Sequence, residues 1–168
     1  MSAGGSSVVA ARLTAAFLGV TLLVFADLRT KAWAGSELRA RGPRTVAGGL
    51  LRLHYQENPG ASFGRRGPRP AALMILDAAM ALGLVGLLLH RLLRATPGRL
   101  LAGGLVALVG GLLGNLLGRL DHGFVVDFID VSRGRWRWPV FNVADVALAA
   151  GLLACLAGVV ARRQRTAG

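Results

Sequence analysis

Leu100-Leu-Ala-Gly-Gly-Leu-Val-Ala-Leu-Val-Gly-Gly-Leu-Leu-Gly-Asn-Leu-Leu117 carries no charged residue. An apolar run of this length approaches the roughly 20 residues that carry a helix across the hydrocarbon core of a bilayer. Three further runs share its character. Residues 8–27 are interrupted only by Arg12, residues 71–89 contain Asp77, and residues 140–160 contain Asp145. The hydrophobic share is 54% with only 6% aromatics, and mean hydropathy is +0.54. A soluble domain is rarely so apolar, so an all-α membrane protein with four transmembrane helices is expected. By length it forms one membrane domain, residues 1–168.

The first span is not followed by an Ala-x-Ala-like cleavage site. Asp27, Arg29 and Lys31 end it, and it reads as a retained span. Four spans put both termini on one side. The basic loop of Arg91, Arg94 and Arg99 and the tail of Arg162, Arg163 and Arg165 assign that side to the cytoplasm. The other side opposes this, with nine Lys/Arg in residues 29–69 and four in 119–138. The net charge of +12 lies between and beside apolar runs. Anionic lipid is therefore a simpler partner than nucleic acid, for which no aromatic-basic module is present.

Cys155, inside an apolar run, reads as a small packed residue. His54, His90 and His122 have no ligand spacing and read as interfacial residues, so no metal and no cofactor is expected. Leu50-Leu-Arg-Leu-His-Tyr55 alternates in part, as a half-buried strand does, and Asn58-Pro-Gly60 is a turn signal. Residues 29–70 and 119–139 are the extramembrane segments. In the second, Trp136 and Trp138 lie among arginines, as head-group-level residues do, and Pro139 fits the start of the fourth helix. Gly110, Gly114 and Gly118 form one glycine face, which lets helix backbones approach closely.

Two aspartates stand in apolar runs that look membrane-embedded: Asp127 in Gly123-Phe-Val-Val-Asp-Phe-Ile129 and Asp145 in Phe141-Asn-Val-Ala-Asp145. A carboxylate at such a place is costly and usually faces a polar interior with a function. The bland alternative for Asp127 is a structural pair with Arg119. For Asn142 and Asp145 it is a polar pair on one helix face. Asp77 reads as an interfacial residue or as a partner of Arg66 or Arg69, and Asp27 with Lys31 as a local pair.

Asn58-Pro-Gly-Ala-Ser-Phe63, Gly110-Gly-Leu-Leu-Gly-Asn115 with Arg119 and Gly123-Phe-Val-Val-Asp127-Phe, and Phe141-Asn-Val-Ala-Asp145 follow one another in this order. With Asp27-Leu-Arg-Thr-Lys31 at the end of the first span, the chain from Asp27 to about Ala150 resembles the lipoprotein signal peptidases (signal peptidase II) of bacteria. The resemblance implies an intramembrane aspartic peptidase of the cytoplasmic membrane with both termini cytoplasmic. It implies an extracytoplasmic β-sheet cradle and a short amphipathic helix, with the active site near the outer face. Such an enzyme removes the signal peptide before a diacylglyceryl-modified cysteine. The implied catalytic pair is Asp127 and Asp145, and Asn58, Gly60, Gly114, Asn115, Arg119, Asn142 and Ala144 match supporting positions. The expected partners are a diacylglyceryl prolipoprotein and membrane lipids, with the chain acting as a monomer.

One departure is Gly118, where the family usually has an acidic residue before the arginine; Asp121 is close enough in sequence to substitute. Two other readings follow: a relative that binds lipidated signal peptides without cutting them, and a small proton-coupled transporter subunit using Asp77, Asp127 and Asp145. The latter lacks the expected internal repeat. The glycine face, with Gly114 at its centre, is expected to leave room for a substrate helix.

Overall fold

The computed structural model describes residues 3–60, 70–94 and 98–167. Four helices in it are long and apolar enough to cross a membrane. They are α1 (Ala3–Trp33), α2 (Pro70–Arg94), α3 (Arg99–His122) and α4 (Val143–Ala167). α3 is central and packs on the other three, whereas α1 and α2 touch each other little. Phe17, Leu22, Ile75, Leu82 and Leu153 point outward and stay exposed, as lipid-facing side chains do.

In lipid there is no water to drive helices together, so close packing must do so, and small residues permit it. A Cβ on Gly104 would come within 2.6 Å of Cys155 Sγ and 2.8 Å of the Gly151 carbonyl oxygen. One on Gly111 would come within 2.6 Å of the Ala144 carbonyl oxygen. The α3 and α4 backbones are therefore in direct contact, and Cys155 is a packing residue there, as expected. The expected use of the glycine face is corrected. Gly110 faces Leu23 of α1, and a Cβ on Gly114 would meet Asp27 Oδ2 at 2.6 Å and Ala144 Cβ at 3.4 Å. Gly114 is covered by the chain's own side chains and leaves no room for a substrate helix.

α1 continues through a π-helical turn, Ala34–Leu38, and Arg39–Arg41, and stops at Gly42, whose φ of 80° needs no Cβ. No separate amphipathic helix follows it among the described residues. Four antiparallel strands in the order β1-β2-β3-β4 cap this end of the bundle. They are β1 (Arg44–Val46), β2 (Leu51–Asn58), β3 (Val125–Arg133) and β4 (Trp136–Arg137). β2 is the strand that alternation predicts. β3 replaces the membrane-embedded appearance of Phe124–Ile129: Val126 and Phe128 are buried with Ala34 and Leu38 beneath the sheet. Gly123, in the left-handed conformation at φ 79°, ends α3 and turns the chain into β3.

The fourth helix starts later than Pro139. Phe141 pairs with Ile129, its N–H donating to the Ile129 carbonyl at 3.0 Å, so the chain stays extended until Asn142. The Trp136 and Trp138 rings lie exposed beside each other, 5.6 Å between centroids. His54 lies on β2. Residues 61–69, with Ala61-Ser-Phe63, Arg66 and Arg69, fall outside the described residues.

Candidate active site

Asn142 ends the extended stretch and caps α4. Its side-chain Oδ1 accepts from the Asp145 N–H at 3.0 Å, and its own N–H donates to Asp145 Oδ2 at 3.1 Å. This reciprocal capping box fixes Asp145 in the first turn, where helix N–H groups otherwise lack partners and negative charge is favoured. The same Asn142 donates from Nδ2 to Asp127 Oδ1 at 2.7 Å. Asp127 comes from β3 and Asp145 from α4, and one fully buried asparagine bonds both carboxyls. The aspartates converge.

Register supplies the next contact. Gln56 pairs with Asp127 and Asn58 with Val125, so Asn58 is delivered to the dyad and donates from Nδ2 to Asp127 Oδ2 at 2.9 Å. Its Oδ1 accepts from the Gly60 N–H at 2.9 Å, closing an Asx turn. Gly60 has φ 88°, and a Cβ there would run into Leu73 Cδ1, so both conformation and space demand glycine.

Behind Asp145 stands Asn115 of α3, which donates from Nδ2 to Asp145 Oδ1 at 2.9 Å. Its Oδ1 accepts from Lys31 Nζ at 2.9 Å and from Asn142 Nδ2 at 3.2 Å. Lys31 and Asn142 together fix which way the Asn115 amide points. Lys31 is 6% exposed and Asp27 1% exposed, and Lys31 Nζ donates to Asp27 Oδ2 at 2.6 Å. Lys31 also reaches the Gly114 carbonyl at 3.4 Å, while Asp27 Oδ1 accepts from the Ala144 N–H at 2.9 Å. Asp27 and Lys31 are the residues that sequence reasoning undervalued. Their signal was the Asp-x-x-Thr-Lys block, taken as a local pair. They do pair, but they also join α1 to α3 and α4.

Arg119 does not reach the dyad. It forms an ion pair with Asp77 of α2, and the two side chains are 14% and 17% exposed. This corrects two expectations at once: Asp127 has no pair with Arg119, and the partner of Asp77 is Arg119. Asp121 does not fill the Gly118 position. It is 76% exposed and lies against His122.

Burial pushes the Asp127 carboxyl up to about 6, and the charge of Asp145 adds to this; hydrogen bonds from Asn58 and Asn142, and Lys31, act the other way. A cavity of about 570 Å³ opens onto Asp127 from the sheet side, lined by His54, Asn58, Asp130, Arg137 and Trp138 among others. Two carboxyls joined by hydrogen bonds beside such a cleft, one holding its proton toward neutral pH, can divide general acid and general base roles.

The family described as Signal peptidase (SPase) II matches residues 19–161. The Lipoprotein signal peptidase of Syntrophomonas wolfei is 39% identical over 130 residues, 77% of this chain and 82% of the relative. That of Yersinia enterocolitica is 33% identical over 148 residues, 87% of each chain. Two solved structures of a bacterial membrane enzyme, at 1.9 and 2.3 Å resolution, share the fold. The first has a TM-score of 0.75 at 23% identity over 87% of this chain and 92% of that one. The second has a TM-score of 0.74 at 22% identity over 90% and 91%. With that match spanning all four helices and both halves of the carboxyl network, the chain belongs to the signal peptidase II family.

Proposed function

We propose that this chain is an intramembrane aspartic endopeptidase that removes the signal peptide from diacylglyceryl-modified prolipoproteins, cutting before the lipidated cysteine. Family membership supports a peptidase acting on prolipoproteins. The observation that carries the aspartic mechanism is the bridge from Asn142 to both Asp127 and Asp145.

Asp127 takes the acid role, because it is the buried member and burial raises its carboxyl to about 6, so that it gives up a proton less readily than an ordinary carboxyl. Asp145 is the base. It takes a proton from a water that attacks the scissile carbonyl, forming the C–O bond of a tetrahedral intermediate. Asp127 hydrogen-bonds the carbonyl oxygen as charge develops and then gives its proton to the departing nitrogen as the C–N bond breaks. The proton on Asp145 returns to Asp127 with the next water. Asn58, Asn115 and Asn142 keep the carboxyls in register. Gly60, Gly114 and Ala144 allow the backbone approaches this needs, and Arg119 braces α3 against α2.

The sheet end of the bundle faces the outside of the cytoplasmic membrane in this reading, with both termini cytoplasmic and the chain working as a monomer. The substrate's signal helix lies in the bilayer and its lipidated cysteine reaches the cleft beside Asp127. The test is cleavage of a diacylglyceryl prolipoprotein by purified wild type, Asp127→Asn and Asp145→Asn. Each variant should lose about 10²–10⁴-fold in turnover, the usual worth of a general acid or base. Undiminished cleavage by either variant refutes the dyad.

A further inference from the structure

On the far side of Lys31 from the dyad lies a second cavity, of about 530 Å³, at the junction of α1, α3 and the sheet. Arg29, Lys31, Arg39 and His122 line it, with the Tyr55 ring among them. Arg29 is exposed and makes no ion pair among the described residues. Arg39 lies over the Tyr55 ring at 5.3 Å and only 3.7 Å from Glu57. The acidic member of the lining is Asp121, which turns to His122.

Gly118 adds no counter-charge to this cavity, where Lys31 is paired with Asp27, Arg39 lies near Glu57 and Arg29 is the exposed cation. A Cβ on Gly118 would meet nothing closer than the Phe124 carbonyl oxygen at 3.6 Å and Lys31 Nζ at 4.0 Å. An acidic side chain would therefore fit and would put a negative charge against Lys31 in the cavity. Glycine omits it.

The cavity has an apolar neighbour. Leu28 and Leu117 line it and also line an apolar groove of about 580 Å³ that runs between α1, α2 and α3 past Val20, Val85 and Leu113. A cationic chamber set on top of an apolar groove, at the end of membrane-spanning helices, has the chemistry of a phospholipid with an anionic head group. The phosphate would take the guanidinium groups and the acyl chain the groove. A free phosphate would use only the upper half.

We infer that the Arg29–Arg39–Gly118 chamber and the groove below it form a binding site for one anionic phospholipid. The inference rests on these contacts alone, so its test reads binding and not cleavage. The detergent-purified chain is titrated with phosphatidylglycerol, phosphatidylcholine or inorganic phosphate, and retained ligand is counted by native mass spectrometry. Wild type should retain one phosphatidylglycerol about tenfold more tightly than phosphatidylcholine. Arg29→Gln and Gly118→Asp should each remove that preference, about tenfold, with phosphatidylcholine unaffected. Leu117→Trp, which narrows the junction, should weaken the lipid and leave any phosphate binding alone. The proposal is overturned by equal retention of the two lipids, or by a preference that survives both charge variants. Inorganic phosphate displacing the lipid at equal concentration also overturns it, as does one-for-one displacement by a lipidated signal peptide.

Discussion

Lys31 is the side chain whose loss should be most informative. It is buried, and it satisfies Asp27, Asn115 and the Gly114 carbonyl at once. Lys31→Met leaves the Asp27 carboxylate, 1% exposed, with the Ala144 N–H as its one remaining partner among the described residues. Breaking a buried pair in this way costs about 3–5 kcal/mol, because the surviving charge is uncompensated. It also removes the shorter of the two bonds to Asn115 Oδ1 and leaves only the 3.2 Å one from Asn142, so the amide that donates to Asp145 Oδ1 is held less firmly. A misplacement on the order of 1 Å at the dyad is worth about a hundredfold in rate. The double variant Asp27→Leu/Lys31→Met separates the two effects. Removing both charges should return most of the stability, while cleavage per folded molecule stays about a hundredfold down. The assay is thermal unfolding in detergent alongside turnover of a diacylglyceryl prolipoprotein. If the double variant regains stability and turnover together, the pair is only a structural strut and the argument that it orients Asn115 fails.

The Asp127 carboxyl, ordinarily near 3.8, is raised to about 6 in the folded chain. The folded state therefore holds a proton that the unfolded state releases between these values. Stability from this group is complete below about 3.8, falls as pH rises to about 6 and then levels off at a cost of no more than about 3 kcal/mol. Asp127→Asn should accordingly unfold at a higher temperature than wild type at pH 7.5, with the difference vanishing near pH 4; an equal gap at both values refutes the burial argument. Asp77→Asn strips Arg119 of its ion-pair partner in a partly buried setting. A loss of about 1–3 kcal/mol in unfolding free energy is expected, recovered in part by Asp77→Glu and unchanged by salt. Gly60→Ala meets both a φ of 88° and Leu73. It should cost about 1–3 kcal/mol and reduce cleavage by moving Asn58, and Leu73→Ala in the same chain should relieve the steric part alone.

The spans were legible because a charge-free run such as Leu100–Leu117 has few soluble alternatives, and β2 because apolar and polar residues alternate in part over Leu50–Tyr55. β3 was not legible as a strand. Val125 through Phe128 are all buried, covered from both faces, so the period of two that marks a strand never appears. The glycine positions announced tight packing but not its partner: spacing along α3 cannot say whether Gly114 meets Asp27, a substrate or a second copy. Ion-pair choice failed for the same reason. Asp77 has many arginines within plausible reach in the sequence, and only the crossing of α2 over α3 selects Arg119. Within the candidate site, Asp127, Asp145, Asn58, Asn115 and Asn142 came from motif order. The orienting role of Lys31 did not, because an i, i+4 pair with Asp27 already accounts for both residues.

The late start of α4 is what makes the two carboxyls meet. Had the helix begun at Pro139, Asn142 would lie inside its first turn, its amide unavailable as a cap and its N–H aimed along the helix axis. Asp145 would then sit nearly two turns in, since each residue advances about 1.5 Å. Instead Phe141 is held against Ile129 as a strand partner, so the helix cannot form until the chain leaves the sheet. Asn142 is the first residue free to turn, and its capping box with Asp145 uses the donors that the helix end leaves open. Its remaining amide group is then directed at the neighbouring strand, where Asp127 lies two residues before Ile129. Sheet pairing, helix capping and carboxyl convergence are thus one arrangement. A variant that lets α4 grow by a turn toward Pro139 should abolish turnover while leaving the helix content of the chain unreduced in circular dichroism.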